Sequence, residues 1–136
     1  MEWIKYIDIP VFLALAGFVA VRASHTPWYF FGLALAALGF ALWMTARYQL
    51  GASFSVRAQA KHLVTTGVYS KFRHPIYFFA LFAFAGVFIA ARAWIPLVAY
   101  TSVTIIAQLG RARREEAVLE AAFGDEYRRW KAQTWI

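Results

Sequence analysis

The sequence contains no cysteine among its 136 residues. That absence excludes disulfides, thiolate metal sites and thiol nucleophiles, and it leaves the redox compartment open. Acidic residues are also scarce, since no Asp or Glu occurs between Ile9 and Arg114. Any chemistry that needs a carboxylate must therefore use the two ends of the chain.

Apolar residues, by contrast, are in excess. They make up 62% of the sequence, only 15% of residues are charged, and the mean hydropathy is +0.53. Soluble domains contain about 45 to 50% apolar residues, and a soluble core of this size could not bury the surplus. The composition therefore predicts a single integral membrane domain over residues 1–136.

Four apolar segments are read as transmembrane helices. Each lies near the lower end of the roughly 17 to 25 residues that cross a bilayer. Arg92 and Pro96 mark a turn between the last two, which are therefore separate spans. The sequence predicts an all-α bundle with spans at residues 3–21, 28–46, 76–91 and 93–109.

The first span also has features of a signal peptide, because the small residues Ala23 and Ser24 follow its apolar run. Glu2 and Asp8 offset the charge of Lys5, however, so the segment lacks the positive start of a signal peptide. We expect it to be retained as a membrane helix.

Basic residues are distributed unequally over the loops. Of the 14 Lys and Arg residues, only Arg22 and Arg92 fall on one side of the predicted bundle, and the rest fall on the side that carries both termini. The positive-inside rule makes that side cytoplasmic, and we expect a prokaryotic inner membrane. The net charge of +7 is then explained by orientation and anionic lipids rather than by nucleic acid. The oligomeric state stays open.

The polar segment between the second and third spans is rich in groups that bind ligands. Its last part reads Leu63-Val64-Thr65-Thr66-Gly67-Val68-Tyr69-Ser70-Lys71-Phe72-Arg73-His74-Pro75-Ile76-Tyr77. Gly67 permits a tight turn, and Pro75 favours the start of a helix. Free N–H groups at a helix start suit a ligand carboxylate. Taken singly, the charged and aromatic side chains here are more simply read as interfacial anchors or caps.

A charged helix is predicted directly after the fourth span. Arg111 and Glu115 are four residues apart and share one face of it. A surface salt bridge is the simplest interpretation, yet Glu115 and Glu116 are the first carboxylates after the long gap and lie at the membrane boundary, where an ionisable pair suggests function. Gly124 ends this helix, and a second short helix follows. The tail over residues 110–136 is thus predicted to form an amphipathic cytoplasmic layer.

Together these segments resemble the isoprenylcysteine carboxyl methyltransferase family, within a broader group that includes phospholipid N-methyltransferases. The similarity covers about Lys61 to Lys131 and departs from the family at Lys61-His62, where eukaryotic members show a histidine followed by a small polar residue. The chain also lacks the additional spans of those members. The similarity rests on the loop from Leu63 to Tyr77 and on Arg111, Glu115-Glu116, Leu119 and Phe123-Gly124-Asp125-Glu126-Tyr127.

The resemblance implies a membrane methyltransferase that uses S-adenosylmethionine without a Rossmann domain. It implies a cofactor loop over residues 57–77, catalytic roles for Arg111 and Glu115, and an acceptor held by Arg111 and Arg73. The implied cofactor contacts are Gln59, Leu63, Val64, Tyr69, His74, Pro75, Ile76, Tyr77 and Glu115. No metal is expected, because His25 is predicted across the membrane from His62 and His74 and no cysteine completes a ligand set.

The implied reaction is methyl transfer to a lipid-like or prenylated small-molecule acceptor, most like the carboxyl O-methylation of an isoprenylcysteine. Displacement at a sulfonium mainly requires that donor and nucleophile be aligned in a dry site, which fits a chain without a catalytic triad or a metal. Two alternatives stay open. One is a phospholipid amine or small thiol methyltransferase, for which Arg111 need not bind a carboxylate. The other is a non-enzymatic membrane subunit or lipid-binding module.

Overall fold

The computed structural model describes residues 7–51 and 63–135, and within these ranges the chain is all-helical, without strands. Its α-helices are α1 (Asp8–Arg22), α2 (Pro27–Leu50), α3 (Pro75–Ala90) and α4 (Trp94–Gln133). A short 3-10 helix, Gly67–Ser70, lies in the loop before α3. The predicted second and third segments, 28–46 and 76–91, correspond to α2 and α3. The predicted start of the first segment lies outside the described residues.

The packing of α2 against α3 depends on small residues at their contact. Three glycines have no room for a side chain there, since an added Cβ atom would meet a backbone nitrogen at 2.3 Å (Gly32 on Ala90), 2.6 Å (Gly39 on Ala83) or 2.4 Å (Gly86 on Ala36). Such close backbone approach is typical of transmembrane helix pairs, which associate by van der Waals packing rather than by the hydrophobic effect. Any larger residue would force the two helices apart.

An aromatic cluster attaches α1 to this pair. The ring of Phe12 stacks on Phe40 with 4.9 Å between centroids and lies edge-on to Trp43 and Phe84 at 6.1 and 5.2 Å. Edge-to-face and offset-stacked contacts of this kind are favourable for aromatic rings. Because Phe12 lies one turn after the start of α1, the cluster holds the beginning of that helix beside the end of α2.

The longest helix, α4, joins two segments that the sequence analysis treats separately. The predicted span 93–109 and the charged helix after it form one continuous helix, because the backbone stays helical from Leu109 through Arg111. Only Gly124 departs from it, with φ +50°, and the helix then resumes to Gln133. The predicted interruption at Gly124 is confirmed. We refer to residues 125–135 as the C-terminal segment.

By length and apolar composition, α2 is the one helix in the described part of the chain that could cross a membrane by itself, and α3 is a shorter apolar helix. Many large apolar side chains point outward from the bundle. They lie on α1 (Val11, Leu13, Phe18, Val21), α2 (Trp28, Phe30, Phe31, Leu38) and the first part of α4 (Ile95, Val98, Val103, Ile106).

Candidate active site

The loop before α3 is fixed against the last turn of α2. Gly67 begins the 3-10 helix with φ +61°, a conformation that favours glycine. The side-chain oxygen of Gln49 accepts a hydrogen bond from the backbone N–H of Val68 at 2.8 Å. A Cβ atom on Gly67 would lie 2.3 Å from that oxygen, so the Gln49 side chain would have to move, and the positive φ is the stronger reason for glycine here. The tight turn predicted at Gly67 is present.

The C-terminal segment closes over the same loop from the other side. The buried indole N–H of Trp130 donates to the backbone oxygen of Tyr69 at 2.8 Å. The backbone N–H of Trp135 donates to the oxygen of Lys71 at 2.7 Å. The loop is therefore held between the end of α2 and the end of α4.

Glu115 is the point at which the loop, α3 and α4 meet. Its Oε1 accepts hydrogen bonds from the hydroxyl of Tyr77 and, at 2.9 Å, from Nε of Arg111. Its Oε2 lies 3.7 Å from Nδ1 of His74. The guanidinium of Arg111 covers the Tyr77 ring at 5.1 Å, and the His74 ring stacks on the same tyrosine. The predicted Arg111 and Glu115 pair thus forms part of a larger cluster.

The electrostatics of this cluster keep the carboxylate ionised. Burial by itself raises the pKa of Glu115, but the close contact with His74 and the hydrogen bonds from Tyr77 and Arg111 outweigh burial, and the pKa lies below its ordinary value. Burial, reinforced by the negative charge of Glu115, raises the pKa of Tyr69. At neutral pH the site therefore contains an anionic Glu115 and a protonated Tyr69 hydroxyl.

Glu116 forms a second anionic centre next to the first. Nζ of Lys131 lies 2.9 Å from its Oε2, while Nε2 of His74 and Nε of Arg73 lie 3.3 and 3.5 Å from its Oε1. Burial raises the pKa of Glu116, but the hydrogen bonds with Lys131 and His74 and the charge of Arg73 lower it overall. Arg73, predicted to hold the acceptor, thus contacts Glu116.

A cavity of about 270 Å³ adjoins the Arg111 and Tyr77 contact. All four α-helices contribute to its wall, with polar and aromatic side chains beside small apolar ones. The lining residues are Asp8 on α1, Trp43 and Arg47 on α2, Ile76, Tyr77 and Ala80 on α3, and Ala107, Gln108 and Arg111 on α4. Nη2 of Arg47 lies 2.6 Å from Oδ2 of Asp8. The cavity therefore has one carboxylate and two guanidinium groups on its wall.

Of the other residues predicted to contact the cofactor, Pro75 is buried at the start of α3, and Ile76 lines the cavity. Leu63 and Val64 are half-buried against the core. Gln59 and the remainder of the predicted cofactor loop before residue 63 lie outside the described residues. Their roles as cofactor contacts stay predictions.

Several residues at this site were missed by the sequence reasoning. They are polar groups in or at the ends of helices that read as apolar: Asp8, Trp43, Arg47, Gln49 and Gln108. A signal was available for the charged ones, because ionisable residues inside apolar helices usually have a functional or paired role. Within residues 7–51 and 63–135, no group of three or more His, Asp or Glu side chains could hold a metal ion.

The segments that form this cluster lie in a part of the chain that matches the model of a known protein family. The model of the phospholipid methyltransferase family matches residues 27–126, from the start of α2 to just beyond Gly124. The chain belongs to the phospholipid methyltransferase family. No curated protein and no solved structure matches it significantly.

Membership of the phospholipid methyltransferase family confirms the broader of the two relationships that the sequence indicates. Methyl transfer is the activity of that family, and S-adenosylmethionine is the usual methyl donor for such reactions. The match contains the loop before α3 as well as Arg111 and Glu115, and it leaves out α1 and nearly all of the C-terminal segment. The narrower resemblance to isoprenylcysteine enzymes stays a prediction.

Proposed function

We propose that the protein is a multi-pass membrane enzyme that transfers a methyl group from S-adenosylmethionine to a lipid-like acceptor at the cytoplasmic face. The observation that carries the proposal is the meeting of His74 and Tyr77 with Glu115 beside a cavity walled by Arg111. These residues come from two distant parts of the chain, and all of them lie in the region matched by the family.

The Glu115 cluster fits the polar parts of S-adenosylmethionine. Ionised Glu115 and Glu116 suit an ammonium group and ribose hydroxyls, which donate hydrogen bonds. The first turn of α3, which begins at Pro75, offers free backbone N–H groups and a positive dipole end to a carboxylate. Half-buried Leu63 and Val64 suit an adenine ring. When bound, the cofactor supplies an electrophilic methyl group on its sulfonium.

The cavity suits the acceptor, because it borders the proposed cofactor site at Tyr77. That residue binds Glu115 through its hydroxyl and also lines the cavity. Arg111 lies on the same wall and offers a charged hydrogen-bond donor to an anionic acceptor group. We infer that these residues align the two reactants and exclude water, which is most of what a methyl transfer requires of a protein.

A four-pass topology is part of the proposal. The outward apolar side chains of α1, α2 and α4 suit contact with lipid hydrocarbon, and the glycine-mediated contact of α2 with α3 is typical of membrane helices. The basic loops favour cytoplasmic termini, and we propose a prokaryotic inner membrane. An acceptor with a lipid tail would then enter sideways between helices.

Two acceptor classes are candidates for the cavity. A carboxylate of the isoprenylcysteine type suits the guanidinium of Arg111. A phospholipid amine is the second candidate, and the specific observation in its favour is the family match over residues 27–126.

The proposal is tested by titrating S-adenosylmethionine into the detergent-purified protein. Saturable binding, displaced by S-adenosylhomocysteine, is expected. A labelled-methyl assay with lipid extracts and prenylcysteine analogues would then identify the acceptor. Failure to bind the cofactor would contradict the proposal and favour a non-enzymatic lipid-binding subunit.

A further inference from the structure

Glu116 contacts a primary ammonium group that the chain itself supplies. Nζ of Lys131 lies 2.9 Å from Oε2 of Glu116. The other oxygen, Oε1, lies farther from its neighbours, 3.3 Å from Nε2 of His74 and 3.5 Å from Nε of Arg73. The amino-acid portion of S-adenosylmethionine also carries a primary ammonium group. Lys131 and the proposed cofactor therefore offer Glu116 the same kind of hydrogen-bond donor.

Of the two carboxylates in the cluster, Glu116 is better placed for the ammonium group of the cofactor. Oε1 of Glu115 already accepts hydrogen bonds from Tyr77 and Arg111. His74 directly precedes the first residue of α3 and contacts Glu116, so Glu116 lies beside the helix start that is proposed to hold the carboxylate of the cofactor. An α-amino acid carries its ammonium and carboxylate groups on one carbon, and adjacent sites suit them.

Lys131 is the cation of this cluster that can leave most easily. Its side chain is 41% exposed, compared with 23% for Arg73, 34% for Arg111 and 19% for His74. A partly exposed ion pair contributes little free energy, because water solvates both charges. The flexible four-carbon stem of lysine also lets the ammonium group turn into water while the backbone stays in place. A ligand can therefore displace Lys131 from Glu116.

The C-terminal segment is anchored by contacts that do not involve the Lys131 side chain. The buried side chain of Trp130 donates a hydrogen bond to the backbone oxygen of Tyr69 at 2.8 Å. Tyr127, about one turn earlier, is completely buried. Substitution of Lys131 should therefore remove the contact with Glu116 and leave the segment in place.

We propose that Lys131 is a built-in competitor of the cofactor. Its ammonium group occupies the position on Glu116 that the ammonium group of S-adenosylmethionine takes, and the cofactor displaces it into water. With a sulfonium, an ammonium and a carboxylate group, the cofactor carries one net positive charge, so a lysine that stayed on Glu116 would repel it. The inference rests on the proposed function and deepens it by assigning control of cofactor affinity to one residue.

The test compares Lys131→Met with the wild type by isothermal titration of S-adenosylmethionine into the detergent-purified protein. Methionine keeps an unbranched apolar side chain and carries no charge. We expect the dissociation constant to fall about three- to fivefold, because the cofactor no longer has to break a partly exposed ion pair. A lysine that only supports the cofactor loop predicts the opposite sign, which is weaker binding.

Arg129→Met is the matched control, because it removes an exposed positive charge from the same segment. It should leave the dissociation constant within about twofold of the wild type, since solvent and salt screen a charge at the surface. Lys131→Gln provides a second neutral variant and should also bind the cofactor more tightly. Lys131→Arg keeps the positive charge beside Glu116 and should bind it no more tightly than the wild type.

Two cofactor analogues show which part of the ligand is responsible for the gain in affinity. S-adenosylhomocysteine keeps the ammonium group and lacks the sulfonium charge, so Lys131→Met should bind it more tightly by a similar factor. Methylthioadenosine lacks the whole amino-acid portion, so the wild type and Lys131→Met should bind it equally.

Unchanged or weaker binding of S-adenosylmethionine by both neutral variants would overturn the inference while leaving the proposed function intact. An equal gain in affinity for methylthioadenosine would overturn it as well, because that gain could not come from the ammonium group. Absence of cofactor binding by the wild type would remove the proposed function and the competitor together.

Discussion

The two ends of the helical bundle satisfy their polar groups in different ways. At the turn between α1 and α2, contacts are local, since Thr26 accepts from the N–H of Tyr29 and the Tyr29 hydroxyl donates to Ala20, nine residues away. At the opposite end, Tyr77 reaches Glu115 across 38 residues, and Trp130 reaches Tyr69 across 61. Ordering distant segments costs conformational entropy. The end that bears this cost is the end that carries the candidate site.

The charges follow the same division. At the turn between α1 and α2 and at the start of α4, the described charged residues are Arg22 and Arg92. Carboxylates in the described chain gather at the other end: Asp8, Glu115, Glu116, Glu120, Asp125 and Glu126. Substitutions at the site end should therefore change ligand binding, whereas substitutions at the far end should change stability alone.

Replacing Glu115 by Ala should have the largest effect on cofactor binding. The change removes a charged acceptor from Tyr77 and Arg111 and the anion beside His74, so we expect affinity for S-adenosylmethionine to fall on the order of 30- to 100-fold. Isothermal titration measures it directly. Glu120→Ala, which removes an exposed carboxylate, should bind as the wild type does. Equal binding by both variants would contradict the assignment of Glu115.

Replacing Arg111 by Ala separates catalysis from cofactor binding. Arg111 borders the cavity, so turnover should fall about tenfold or more, while cofactor affinity changes by less than about threefold. Steady-state methyl-transfer assays measure the turnover, and titration with S-adenosylmethionine measures the cofactor affinity. Arg113→Ala, two positions along the same helix and exposed, serves as the control. A loss confined to cofactor affinity would place Arg111 on the cofactor side instead.

Trp130→Phe examines whether the C-terminal segment positions the cofactor loop. Phenylalanine keeps most of the packing but removes the hydrogen bond to the backbone of Tyr69, so we expect about fivefold weaker cofactor binding. Trp28→Phe at the far end, where Trp28 contacts Trp94, should leave binding unchanged. If both variants bind the cofactor equally well, the hydrogen bond from Trp130 to the loop does not contribute to cofactor binding.

Tyr29→Phe should have the smallest effect on function. The loss of the hydroxyl bond to Ala20 should reduce the free energy of unfolding by about 1 kcal/mol. Cofactor affinity should remain within about twofold, and a thermal shift combined with titration measures both quantities. A marked loss of affinity would show that the two ends of the bundle are coupled.

Local features of the fold were predictable from the sequence. The apolar segments give the positions of α2 and α3, and Pro75 and Gly124 mark a helix start and an interruption through their own backbone chemistry. The pairing of Arg111 with Glu115 follows from their spacing on one helix. Each of these depends on residues close together in the chain.

Contacts between distant segments were not predictable in the same way. Helix α3 is apolar on all sides, so its pattern does not show which face meets the glycines of α2. The partners of Glu116 come from the loop and the C-terminal segment and depend on how those elements pack. The family resemblance supplied the meeting of the loop with Glu115, which helical periodicity alone does not contain.

The shortness of α3 has a consequence for the surrounding lipid under the proposed topology. Its 16 residues extend about 24 Å, less than the roughly 30 Å of hydrocarbon in an ordinary bilayer. Local thinning of the bilayer beside α3 would keep the polar groups at the helix ends out of the hydrocarbon. Pro75 and Tyr77 lie at one end of this helix, so local thinning of the bilayer would bring neighbouring lipid headgroups closer to these two residues. A substrate would then reach the reaction centre by lateral diffusion within its own leaflet.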